Sequence, residues 1–125
     1  MNKTEIKIKA AKALEDAADF LKRRNRWCTG YYSTVLEDNS TTKLTRKDGK
    51  AIVPGAKFCA MGALAVFSAK STKVLFMAHR AMSELSELKD YSDVEDFNDS
   101  QMTKGPVMRA MRKAARNLMS ELEGV

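Results

Sequence analysis

Apolar residues recur at helical spacing over the first part of the chain: Ile6, Ala10, Ala13, Leu14, Ala17, Ala18 and Leu21, with lysines and acids between them. This period predicts an amphipathic helix from about Thr4 to about Arg24. Asn2 followed by Glu5 supplies the capping interval that opens such a helix. The apolar face is rich in alanine, so a neighbouring helix can approach it closely. The period stops at Asn25–Tyr32, where Gly30 marks a turn. From Tyr31 to Val53 the composition shifts towards Thr, Val, Ile and Tyr. Asp48-Gly49, flanked by Leu44-Thr45 and Ala51-Ile52-Val53, predicts a small β-hairpin with a basic tip of Arg46, Lys47 and Lys50. Pro54-Gly55 ends it.

The second half carries three more helical patterns. Phe58 to Lys70 is apolar all round, as a central buried helix is. Gly62 inside it costs about 1 kcal/mol against alanine in an exposed helix, and a close helix–helix contact accounts for its presence. Ser71-Thr72 breaks the pattern and caps the next helix, in which Val74, Ala78, Ala81, Leu85 and Leu88 form a stripe. Lys89 to Thr103 is polar and acidic and reads as a long loop containing Asn98-Asp99. Gly105-Pro106 opens the last helix, with proline at a tolerated first position. Met108, Met111, Ala115, Leu118, Met119 and Leu122 make its expected buried face. The predicted fold is therefore mainly α: one compact four-helix domain over residues 1–125, with a small β-hairpin between helices 1 and 2.

Length and charge sharpen this picture. A chain of 125 residues buries of order two-thirds of its surface on folding, so its core needs no covalent staple. No apolar run approaches the ~18–20 residues of a membrane span, and the charged N-terminus leads straight into a helix instead of a secretory signal. A cytoplasmic location is expected, and with it two free thiols at Cys28 and Cys59. The net charge is +6. All of it lies in residues 1–58, which hold 13 Lys and Arg against 7 Asp and Glu; residues 59–125 hold 9 of each sign. Basic charge favours anionic partners, and it also simply keeps a protein in solution.

Three groups of residues carry candidate chemistry. Cys59 falls in the first turn of the central helix, where the helix dipole and free N–H groups stabilise a thiolate. A nucleophile also needs a base, and His79 (the sole histidine) or Asp99 would have to supply it. A cysteine in an apolar helix is more commonly a small hydrophobe. Trp27-Cys28-Thr29-Gly30, at the end of the first helix, either walls a pocket or plugs the end of the bundle. On the last helix Arg109, Arg112, Lys113 and Arg116 fall within about a third of the circumference. Such a stripe tracks phosphates or nucleic acid, or it is a solvated flank. Cys28, Cys59 and His79 lack the close spacing of a zinc site. No phosphate-loop, dinucleotide, zinc-protease or serine-nucleophile motif occurs. No catalytic, metal or cofactor site is assigned.

The segments Trp27-Cys28-Thr29-Gly30, Phe58-Cys59-Ala60-Met61-Gly62-Ala63-Leu64 and Phe97-Asn98-Asp99 occur in that order along the chain. Together they resemble an uncharacterised family of small helical bacterial and phage proteins with W-C-x-G, aromatic-C-A-x-G-A-L and aromatic-N-D motifs. The resemblance implies that Cys28, Gly30, Cys59, Gly62, Asn98 and Asp99 belong to one shared pattern, and it brings no activity with it. Physically, Asn98-Asp99 is expected to fold back on the start of the central helix, because Asn and Asp accept hydrogen bonds from exposed donors there. The result is a structural clamp or a ligand pocket lined by Trp27, Cys28, Cys59, Asn98 and Asp99. The functional expectation is a non-enzymatic binding or regulatory protein for an anionic ligand, such as a nucleotide, or for a protein partner. The alternatives are a cysteine-dependent enzyme using Cys59 and a nucleic-acid accessory protein.

Overall fold

A computed structural model of the chain describes residues 1–30, 33–35, 56–68 and 71–123. Helix α1 spans Lys3–Lys22, and Asn2 caps it by accepting the Glu5 N–H at 2.8 Å, as the capping interval predicts. Ala10, Ala13, Leu14, Ala17, Ala18 and Leu21 are buried on one face. Their small side chains make α1 the hub of the fold, with three other helices packed against it. The helix ends in a network that periodicity does not reveal. Lys104, 82 residues downstream of Lys22, donates from Nζ to the carbonyls of Lys22 and Arg23 at 2.8 and 2.9 Å. A cation at a helix C-terminus satisfies orphan carbonyls and complements the dipole.

Strands β1 (Ser33–Val35) and β2 (Ala56–Phe58) pair antiparallel between the first two helices, with Ser33 opposite Phe58 and Val35 opposite Ala56. The Asp48-Gly49 turn, its flanking residues and the basic tip at Arg46, Lys47 and Lys50 lie outside the described residues. Phe58 is also tied to the chain leaving α1. Its N–H donates to the Arg26 carbonyl at 2.8 Å and its carbonyl accepts from Cys28 N–H at 3.0 Å, a parallel bridge that sets Trp27 opposite Phe58.

Helix α2 (Ala60–Phe67) begins at Cys59, later than the sequence pattern suggests, because β2 occupies the chain up to Phe58. Ser71 caps α3 (Thr72–Ser83), and Val74, Ala78 and Ala81 of the expected stripe are buried on it. Leu85 and Leu88 are buried too, but from beyond the helix: the chain turns after Ser83, and Ser86–Leu88 forms a single 3-10 turn. Within the expected long loop lies a further helix, α4 (Val94–Asp99), capped by Asp93, which accepts the Asp96 N–H at 2.7 Å. It forms because Val94 and Phe97, one turn apart, both reach the core, where the Phe97 ring meets Tyr91 edge-on with centroids 5.2 Å apart.

Helix α5 (Gly105–Glu123) packs along α1 and α3 and buries Val107, Ala110, Met111, Ala114, Ala115 and Leu118. Met108 and Leu122 are only half-buried, and Met119 lies exposed at the edge. The fold is mainly helical, as expected: among the described residues, four helices of eight residues or more and the short α4 surround one hydrophobic core.

Candidate functional site

The three motif segments meet at one end of α2, around the side chain of Asn98. This residue is fully buried, and its amide makes four hydrogen bonds. Oδ1 accepts from the Trp27 indole N–H at 2.8 Å and from the Ala60 backbone N–H at 3.0 Å. Nδ2 donates to the Cys28 carbonyl at 3.1 Å and to Asp99 Oδ1 at 2.9 Å. Two lone pairs and two N–H groups are the whole capacity of a carboxamide, so Asn98 is saturated. Asp99 Oδ1 also accepts the Gly30 N–H at 2.9 Å. Gly30 sits at φ +82, and this left-handed turn lets the backbone aim its N–H at Asp99.

Cys59 is the N-cap of α2. Its Sγ accepts from Gly62 N–H at 3.4 Å, while Asn98 takes the Ala60 N–H. The donors that a helix start ordinarily offers to an anion are thus occupied from within the protein. Burial pushes the Cys59 thiol up from its ordinary value; the Gly62 and Met61 amides oppose this, and the Asp99 and Glu95 charges add to it. Cys28, half-buried, is pushed up to about 12, first by burial and then by Cys59, with Lys57 opposing. Both side chains are thiols in the structure. The dipole argument for a Cys59 thiolate is outweighed by desolvation, which disfavours the charged form. His79 lies on α3 with its hydrogen-bond contact to Ser83, one turn along the same helix.

Trp27, Cys28, Cys59, Asn98 and Asp99 are therefore brought together, as the motif order suggests, while His79 is not joined to them by any described hydrogen bond. The predicted basic stripe on α5 separates into different roles. Arg112 pairs with Asp19 at 3.0 Å and Glu15 at 3.4 Å on α1, and Lys113 pairs with Glu87 at 3.1 Å. Hydrogen bonding to Lys113 lowers the Glu87 pKa. Arg109 and Arg116 are exposed. Half of the stripe thus ties α5 to its neighbours.

Sequence patterns missed a second feature. A surface groove of about 650 Å³ runs between α1 and α5, floored by Ile8, Ala11, Ala115 and Met119 and edged by charged side chains, Arg116 among them. Ile8, an apolar residue outside the buried stripe of α1, is a sequence signal for it, beside Arg116 of the basic stripe. Among the described residues no helix is long and apolar enough to cross a membrane, and no three His, Cys, Asp or Glu side chains cluster to hold a metal ion.

Fold and site together define a small helical domain in which a buried asparagine joins the exit of the first helix to the start of the second. Residues 6–117 match the model of a family of unknown function, DUF6197, and the chain belongs to that family. No curated protein and no solved structure matches it.

Proposed function

We propose that this protein is a non-catalytic binding protein and that its ligand-facing surface is the groove between α1 and α5, not the cluster around Asn98. The observation that carries the reading is the groove itself. An apolar floor beneath an exposed guanidinium suits a ligand with an apolar body and an anionic end. Lys12 on the rim is held by Asp16, and Arg112 by Glu15 and Asp19. Arg116 has no ion-pair partner among the described residues, so its charge is available to a ligand. Saturated hydrogen bonding around Asn98 supports a structural role for that cluster. Two thiols driven towards their protonated forms weigh against a cysteine nucleophile. A cytoplasmic setting suits two reduced cysteines.

The test is thermal unfolding at low salt against nucleotides and medium-chain carboxylates, on the wild type and on Arg116→Glu. A ligand at 100 times its dissociation constant adds about 2.7 kcal/mol, a shift of several degrees for a chain of this size. The expected result is a shift that Arg116→Glu abolishes while the free variant melts as the wild type does. A shift that survives Arg116→Glu and disappears in Trp27→Phe moves the site to the Asn98 cluster. No shift from any compound overturns the small-molecule reading.

A further inference from the structure

Cys28 and Cys59 lie far apart in sequence, and the parallel bridge pairs the residues immediately before them, Trp27 and Phe58. Trp27 faces Phe58 in an isolated bridge, and Cys28 N–H bonds the Phe58 carbonyl, so extending the same register by one residue sets Cys28 opposite Cys59. Cys59 is still extended, at φ −80 and ψ 178, before the chain turns into α2. Opposite residues of neighbouring strands stand about 4.8 Å apart and, in parallel register, direct their side chains to the same face. That spacing lies inside the ~4.4–6.8 Å between Cα atoms that a disulfide spans. The Cys59 thiol also adds to the upward push that burial gives the Cys28 thiol. Neither thiol is needed by the binding reading above.

We infer that Cys28 and Cys59 are a modification site: a dithiol that closes to an intramolecular disulfide on reaction with a low-molecular-weight disulfide. Cys28 is half-buried and Cys59 buried, so Cys28 reacts first. Its thiol gives up a proton and attacks one sulfur of the reagent; the reagent's S–S bond breaks, and one half leaves as a thiolate that takes up a proton. The Cys59 thiol then gives up its proton and attacks Cys28 Sγ in the mixed disulfide, releasing the second half as a thiol. The protein loses two electrons and two protons, and one small disulfide becomes two small thiols. Burial keeps both groups protonated near neutrality, so closure is slow there and accelerates about tenfold per pH unit towards pH 9, because the thiolate is the attacking form. The product closes a loop over residues 29–58 and restricts the unfolded chain more than the folded one.

The experiment equilibrates the native protein with reduced and oxidised glutathione and reads intact mass and melting temperature, with the urea-unfolded chain as reference. Closure is expected as the loss of two hydrogens, with an equilibrium constant at least about tenfold above that of the unfolded chain and a melting temperature several degrees higher. Cys59→Ser, which keeps a good helix cap, is expected to stop at one glutathione on Cys28, and Cys28→Ser to resist modification. An equilibrium constant no larger than in urea overturns the proposal. So does a wild type that accumulates mixed disulfide without closing, or one that forms only disulfide-linked dimers.

Discussion

The Asn98 cluster and the α1–α5 seam are both held by polar side chains acting over long sequence separations, yet the two are built on opposite terms. The Asn98 amide is buried, and every one of its polar atoms is matched: it donates to the Cys28 carbonyl and Asp99 and accepts from the Ala60 N–H and the Trp27 indole. Where α1 and α5 pack together, both helices bury apolar faces rich in alanine, and the charges of Arg112, Glu15 and Asp19 sit at the solvent edge. Net strength follows from this difference. Breaking a buried, saturated network leaves several groups without water or partner, whereas a surface ion pair returns both charges to solvent. A polar cluster of mixed, unusual residues thus marks the joint of the fold, while the plainer helical surface carries its charges at the solvent edge.

The sharpest way to break that comparison is Asn98→Ala. It strands the Ala60 and Trp27 donors and the Cys28 carbonyl together, and a loss of about 3 kcal/mol or more is expected in denaturant unfolding. A loss under about 1 kcal/mol would mean that water replaces the amide and the cluster is open to ligands.

The alkaline response comes next. Cys28 has a raised pKa in the folded state, so its contribution to stability is complete below its ordinary value of 9.0 and is lost as pH rises towards about 12, because the unfolded chain ionises first. After discounting for solvent around a half-exposed thiol, this is on the order of 1–2 kcal/mol. Stability of the wild type measured against Cys28→Ser should be flat below pH 9 and should fall above it. A flat difference throughout would place the thiol in water.

The smallest effect is expected at the seam, where Arg112→Ala removes two surface ion pairs and costs less than about 1 kcal/mol, shrinking further with added salt. A cost comparable to that of Asn98→Ala would show that the rim, and not the alanine face, holds α5 in place.

Much of the molecule is legible in the residue pattern alone. The 3.6-residue period of α1, the Asn2 cap, the stripe of α3 as far as Ala81 and the proline-marked start of α5 are local signals, and each element forms over them. The membership of Trp27, Cys28, Cys59, Asn98 and Asp99 in one cluster is legible too, as a set of unusual residues at segment ends. Helix α4 is not, because Val94 and Phe97 are too few to declare a period within an acidic stretch, and they turn helical only when a core is there to receive them. The grip of Lys104 on the end of α1 and the parallel bridge at Phe58 carry no local signal either.

By itself, then, the sequence determined the long helices, their apolar faces and which residues are too unusual to be filler, since these follow from spacing and chemistry within a few residues. Only the tertiary structure decided that Asn98 is saturated, that Trp27 is bridged to Phe58, and that Arg112 is spent on α1. Those outcomes depend on which groups meet across 30 to 100 residues of chain, and on the water they exclude when they do.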